Sequence, residues 1–280
     1  MIYLKEFDSH VSYEAEINGG GVDISLPNVS YCDDVKDVHY NTYNTVEFYV
    51  GNITGTTPQT VKIYTDLNTS IDVQVSEGNK WYSYVLPKDK GLYKIEGDSV
   101  KKVVVKADIT TNSNTIIPQT TVEASFKGSN TSKVTNMAIM FYNCSGLTSL
   151  DVSSFDTSNV TNMRHMFVSC SGLKSLDLSS FNTSKVTDMR FMFTSCSGLT
   201  SLDVSKFDTS KVNSMHQMFE GCTNLTSLNL SGWDMSSVTN TTDMFNGCTK
   251  LDTITMKGCS KDTIDKITAV KPSSAKIVTE

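Results

Sequence analysis

Five of the seven cysteines stand at one interval: Cys144, Cys170, Cys196, Cys222 and Cys248. Thiols in a recurring column could form disulfides, ligate a soft metal or fill a core. Successive members are 26 residues apart, so each belongs to a different unit. Neighbouring units stand too far apart for the close Cβ approach that a disulfide requires. The expectation is buried structural thiols, with metal or disulfide as the alternative. Cys32 and Cys259 fall outside the column, and their spacing identifies no partner.

A second column is acidic. Asp151, Asp177, Asp203 and Asn229 each follow a serine by two, namely Ser149, Ser175, Ser201 and Ser227. On parallel strands about 4.8 Å apart these carboxylates would repel unless a donor or a cation intervened. The expectation is that Ser and Thr hydroxyls or backbone N–H groups satisfy them. The alternative is a stripe for Ca²⁺ or sugar hydroxyls, although calcium usually wants more carboxylates at closer quarters. The four histidines, His10, His39, His165 and His216, show no HxxxH or HxH spacing, and no Ser-His-Asp set, phosphate loop or zinc motif accompanies them. No enzyme activity, metal or cofactor is expected.

The elements that must carry these columns are legible from the same period. Val134, Val160, Val186, Val212 and Val238 open five units of 26 residues, with Met-Phe pairs at 140–141, 166–167, 192–193, 218–219 and 244–245. Leu147, Leu173, Leu199, Leu225 and Leu251 follow the cysteines. A period of this length with an LxxLxL-like core marks a leucine-rich solenoid. In the second unit Val160, Met163, Phe167 and Cys170 fall on one stripe of a helix of about three turns, with Thr157 and Ser158 as N-cap candidates. Gly146, Gly172 and Gly198 are expected as left-handed helix ends, their place taken by Asn224 and Lys250 in the last two units. Leu173, Leu176 and Leu178 alternate with Ser175, Asp177 and Ser179 as a strand. Phe155, Phe181, Phe207 and Trp233 fill the return turn. One such unit cannot bury its apolar stripe alone, so the stack is the fold. The segment 261–270 reads as a closing helix and 275–279 as a final strand.

Other positions change from unit to unit on the outward side: Arg164 and His165, Arg190 and Phe191, His216 and Gln217. A recognition surface and drift at solvent positions look alike in one sequence, and both readings stand. His165 and His216 are expected to be solvated.

Upstream, six short apolar runs at 46–50, 61–65, 71–75, 81–86, 92–95 and 100–106, parted by turn residues, predict a small antiparallel sandwich. The fold class is thus multidomain: an attachment segment over 1–42, a β-sandwich-like domain over 43–109, a polar linker over 110–121, and an α/β leucine-rich-repeat solenoid with caps over 122–280. Residues 9–18 suit a short helix. A net charge of -6 and a pI near 5.3 disfavour nucleic acid and anionic membranes as partners. No run nears the ~18 apolar residues of a membrane span. The start MIYLKEFDSHVSYEAEI carries Lys5, Glu6 and Asp8 where a secretory signal needs an unbroken apolar run, so synthesis without export is expected.

The stretch VTNMRHMFVSCSGLKSLDLSSFNTSKVT and its copies resemble the BspA-like, DUF285-type leucine-rich repeats of bacterial surface proteins. That resemblance covers about 121–280 and implies an adhesin or recognition module. The leader YLKEFDSHVSYEAEI…LPNVSYC…VHYN resembles that of virion structural proteins of Bacteroidetes phages, crAss-like phages included. It implies a fibre or decoration protein, exposed on the virion after lysis and held to other virion proteins through Leu26, Pro27, Asn28, Tyr31, His39 and Tyr40. Such fibres are commonly trimeric, which implies a homo-oligomer. The partner of the repeat head is then a host-surface glycan or protein.

Overall fold

The computed structural model describes residues 2–4, 13–15, 29–32, 44–53, 57–111 and 113–280. Strand β1 (Ile2–Leu4) pairs antiparallel with β2 (Tyr13–Ala15), so a strand occupies the middle of the stretch expected as a helix, where β1 supplies a pairing partner. β3 (Val29–Cys32) lies antiparallel to the strand Lys80–Val85 and includes Tyr31. Leu26, Pro27, Asn28, His39 and Tyr40 lie outside the described residues.

Strands β4 (Thr45–Val50), β5 (Gln59–Tyr64), β6 (Ser70–Val75), β7 (Lys80–Val85), β8 (Lys94–Glu96) and β9 (Val100–Lys106) occupy the six predicted runs. Alternation decides their faces: Val46, Phe48 and Val50 are buried, as are Val103 and Val105 and Tyr82 and Tyr84. β5, β6 and β8 form one antiparallel sheet. The other strands do not close into a separate sandwich. β9 pairs antiparallel with β4 on one side and parallel with β10 (Glu123–Ser125) on the other, and β10 continues to β11 (Ser149–Asp151). The first sheet therefore runs directly into the solenoid.

Residues 110–121, expected as a linker, are part of that junction. Ile116 and Ile117 are buried, and Ile116 receives Ile95 N–H at its carbonyl while donating its own N–H to Met140. The polar composition misleads because Thr111 and Thr121 are themselves buried.

Within the solenoid the expected helices do not form. In the first coil Met137, Ile139, Phe141 and Asn143 donate to the carbonyls of Asn162, Arg164, Met166 and Val168 in the next coil. Met140, Tyr142 and Cys144 donate to Met137, Ile139 and Phe141 in their own coil. A helix returns every N–H to the carbonyl four residues back; here alternate N–H groups leave for the neighbouring coil. Two left-handed residues per coil enforce this, Ile139 and Asn143, His165 and Ser169, Phe191 and Ser195, all with φ between 57° and 63°. No right-handed helix tolerates them. Successive tight turns also bring every third or fourth side chain to one side, so the apolar stripe reports burial rather than helix. The solenoid is β strands and turns.

The glycine column has another role than the one expected. A Cβ on Gly198 would lie 2.3 Å from the Ser171 carbonyl oxygen and 2.6 Å from that of Leu173. Gly172 meets the Leu147 oxygen at 2.6 Å. Close approach of the coils, not a left-handed backbone, demands glycine there.

Two aromatic ladders run along the stack. Phe141, Phe167, Phe193, Phe219 and Phe245 stack with centroids 5.5–5.6 Å apart and planes within 7° of parallel. Phe155, Phe181 and Phe207 form a second ladder at 6.3–6.4 Å. A buried threonine column adds polar ties: Thr157 Oγ1 accepts from Asn182 N–H (2.7 Å) and donates to the Asn182 carbonyl (2.9 Å).

Strands β12 (Ser201–Asp203), β13 (Ser227–Asn229), β14 (Thr253–Thr255) and β15 (Lys276–Val278) complete a parallel sheet. Helix α1 (Lys261–Val270) closes the end, capped by Ser260. Met235 stands where earlier coils carry the threonine, and α1 satisfies its backbone. Thr263 Oγ1 accepts from Met235 N–H (3.1 Å), and Lys266 Nζ donates to its carbonyl (2.8 Å). Thr263→Val keeps the shape and removes the acceptor, so it is expected to lower unfolding free energy by about 1–3 kcal/mol. Urea denaturation checks this.

Candidate functional site

The thiol column is structural. Cys170, Cys196, Cys222 and Cys248 are buried, and each Sγ–H donates to the phenylalanine carbonyl of the preceding coil, at 3.1, 2.9, 3.2 and 3.0 Å respectively. Burial pushes the Cys144 thiol up to about 12 and that of Cys248 to about 11. Cys170, Cys196 and Cys222 move the same way for the same reason.

Two results follow for the thiols. At pH 8 a soluble thiol reagent should leave all five column cysteines untouched until denaturant is added. Unfolded thiols ionise near ~8.5 while folded ones stay protonated, so between those values the native state holds more protons and stability must fall as pH rises. Melting temperature measured from pH 8 to 11 is expected to decline, and to decline less steeply in Cys196→Ala.

The strand-face columns point outward, with Ser149, Ser175, Ser201 and Ser227 exposed. Asp151, Asp177, Asp203 and Asn229 each turn Oδ1 back to accept the N–H two residues on, from Ser153, Ser179, Ser205 and Ser231, at 2.9–3.1 Å. Hydrogen bonding from those serines holds the three carboxyls below the usual carboxylate range. One oxygen of each is thus committed to its own turn. The strand ladder also breaks between β11 and β12, since residues 173–178 form no strand.

Sequence reasoning missed how often this device recurs. Asp156, Asn182, Asp208 and Asp234 accept from the serine two residues on. Asn136, Asn162, Asp188 and Asn240 accept in the same way at the next corner. Three such corners turn the coils that begin at Asp151, Asp177 and Asn229, while Ser214 stands at the third corner of the coil that begins at Asp203. The signal was present as Asp or Asn two residues before a serine in the first two columns.

The outward turn positions come together. His165 and Phe191 stack at 4.4 Å, Phe191 meets His216 edge-on at 4.9 Å, and Tyr142 meets His165 edge-on at 6.4 Å. One ring per coil makes a row of roughly 15 Å at ~4.8 Å per step. The Arg164 guanidinium lies 5.5 Å from the Phe191 centroid, and its buried Nε has no hydrogen-bond partner among the described residues. Arg190 grips Asp188 with Nε at 2.9 Å and Nη2 at 2.6 Å. Gln217 Nε2 donates to Glu220, and His216 Nδ1 donates to the Thr242 carbonyl at 3.0 Å, which fixes its tautomer.

His165 and His216 are half-buried in this row rather than freely solvated, because adjacent coils set rings on both sides of Phe191. Burial, with Arg164 beside it, lowers the His165 titration below its ordinary value.

The backbone makes two members of this row, His165 and Phe191, unusual. Ile139, His165, Phe191, Gln217 and Asp243 occupy one column with φ between 52° and 62°. That conformation favours Gly or Asn and costs bulky residues roughly 1–2 kcal/mol. The companion left-handed column, Asn143, Ser169, Ser195, Gly221 and Gly247, holds small residues, as backbone preference dictates. The column that holds His165 and Phe191 does not follow that preference.

Among the described residues no group of three or more His, Cys, Asp or Glu side chains is arranged to hold a metal ion, and no helix is long and apolar enough to cross a membrane. No curated protein and no solved structure matches the chain. The family model described as "Mycoplasma protein of unknown function, DUF285" matches residues 110–203 and 169–270, and so takes in the junction segment as well as the coils. With the larger part of its length matched, and with 26-residue coils stacked through those residues, the chain belongs to the BspA-like DUF285 repeat family.

Proposed function

We propose that this chain is a non-catalytic recognition protein whose solenoid presents the row Tyr142, His165, Phe191 and His216, flanked by Arg164, Arg190 and Gln217, to a glycan or protein on a cell surface. The observation that carries it is the contact of these four rings across four coils, with centroids 4.4–6.4 Å apart, two of them, His165 and Phe191, at left-handed positions. His165 and Phe191 stand where the backbone prefers Gly or Asn, and their mutual stacking offsets that strain. Half-exposed aromatic rings with adjacent arginines are the residue types that dominate recognition energetics. Family membership supports a repeat-built binding module of the BspA-like kind, and such a module serves equally on a bacterial surface or as the outward head of a virion fibre. The phage form rests on the leader alone, most of which lies outside the described residues.

Labelled full-length protein on intact bacterial cells tests the reading. Saturable binding is expected, weakened about tenfold or more by the double variant His165→Gly/Phe191→Gly, with melting temperature at or above that of the parent because glycine relieves the left-handed strain at both positions. Prior protease or periodate treatment of the cells distinguishes a protein from a glycan target. Equal binding by parent and variant contradicts the proposal. Recovery of the chain in high-salt-washed virions selects the phage form, and its release by proteolysis of uninfected cells selects the adhesin form.

A further inference from the structure

The outer face of the sheet joining the two halves carries a separate arrangement. Cross-strand register sets Trp81 opposite Tyr49, Tyr49 opposite Lys102, Lys102 opposite Glu123, and Glu123 opposite Ser149. This single row crosses β7, β4, β9, β10 and β11 and is roughly 19 Å long at ~4.8 Å per strand. The adjacent row contains Glu47, opposite Ser83 and Val104, and Asp151, opposite Ser125. Phe48, Tyr82, Val103 and Ala124 alternate with these residues and are buried, so both rows face out of the core.

An open groove of about 420 Å³ lies here, lined by Trp81, Lys102, Glu123, Ser149 and Asp151 among others. Tyr82 and Tyr84 pack inward while the half-buried Trp81 stands edge-on to Tyr49, with centroids 5.7 Å apart. Lys102 Nζ is 3.0 Å from Glu123 Oε2, which places a donor beside an acceptor on the open face. Glu47 Oε1 is buried with no hydrogen-bond partner among the described residues. An indole face bordered by oriented charged groups suits a ligand with an apolar ring face and a hydroxyl rim. Each carboxylate here faces an ammonium, Glu123 with Lys102, Glu47 with Lys106 and Asp151 with Lys127, so the face has no surplus positive charge to draw an anion.

We propose that this groove binds a neutral oligosaccharide, one ring lying on Trp81 and the hydroxyls of the rings that follow it reaching the Lys102–Glu123 pair and Asp151. Hydrogen bonds to these charged groups supply both orientation and affinity. The inference rests on the recognition reading above but uses a different face of the molecule.

The chain has two tryptophans. Trp233 is buried, in the column where other coils carry Phe155, Phe181 and Phe207. Trp233→Phe in the full chain leaves Trp81 as the sole indole reporter. Titration with neutral gluco-, manno- and N-acetylhexosamine oligosaccharides should give a saturable Trp81 emission shift with at least one of them, and an oligouronate should give none. By calorimetry, Lys102→Met and Asp151→Asn should weaken that binding about tenfold or more, while Phe191→Ala leaves it unchanged. Asparagine at 151 retains the turn, as Asn229 does in its own coil. Absence of any neutral-sugar response overturns the inference, as does a response confined to the oligouronate or unchanged affinity in both groove variants. Loss with Phe191→Ala alone moves the sugar to the ring row, which removes this groove and leaves the proposed function standing.

Discussion

Gly198→Ala is expected to destabilise the protein by about 3 kcal/mol or more, the largest effect of any one-methyl change in the solenoid. The added carbon would sit 2.3 Å and 2.6 Å from two carbonyl oxygens of the preceding coil. These are backbone atoms, held in place by Cys and Thr ties between coils, so no rotamer change relieves the overlap. The second and third coils must part. Because each coil contacts only its neighbours, a wedge in the middle divides the stack into two shorter ones. Gly146→Ala is the control. Its nearest neighbour, the Thr121 oxygen, is 3.5 Å away, an ordinary contact. That variant is expected within about 1 kcal/mol of the parent, on either side. Urea denaturation of the pair measures both, and equal effects would contradict the close-approach account.

The second large effect is expected at the centre of the ring ladder. Phe193→Ala removes a fully buried ring stacked on both sides, 5.6 Å from Phe167 and 5.6 Å from Phe219. Truncation of a buried phenylalanine costs about 3–5 kcal/mol through lost transfer energy and the cavity left behind. The lost stacking contacts place Phe193 towards the top of that range. Phe245 ends the ladder with one ring neighbour, Phe219, so Phe245→Ala is expected to cost less. A graded loss from centre to end is what a one-dimensional stack requires. Identical losses at both positions would point to independent units instead.

Much of this architecture was written in the 26-residue period. The coil boundaries, the buried Met, Phe, Cys and Leu columns, the capping helix at 261–270 and the positions of the six upstream strands follow from spacing and turn residues alone. The helical conformation did not follow, for a specific reason. Val160, Met163, Phe167 and Cys170 recur at intervals that a helix and a pair of tight turns both produce. Only the left-handed residues at 165 and 169 distinguish the two, and His and Ser do not announce that conformation as Gly would. The linker at 110–121 misled through composition, since buried threonines count as polar in sequence and as packed in the fold.

The candidate sites were legible in part. The columns holding Arg164, His165, Phe191 and His216 were visible as variation, yet their assembly into one row depends on a coil-to-coil step that no single unit contains. The acidic column was visible too, but its capture by turn N–H groups is local geometry set by the Asp-x-Ser spacing. Trp81 opposite Tyr49, in line with Lys102 and Glu123, is a product of cross-strand register over four strands. No motif encodes such a juxtaposition.

The claim on which the rest depends is that alternate N–H groups of the Met-Phe-Cys segments bond across coils. Nuclear magnetic resonance of the deuterated full chain can detect scalar coupling through a single hydrogen bond. The Phe193 amide is expected to couple to the Met218 carbonyl carbon, 25 residues ahead. Coupling of that amide to the Met189 carbonyl, four residues back, would mean a helix and would contradict the stacked-turn account.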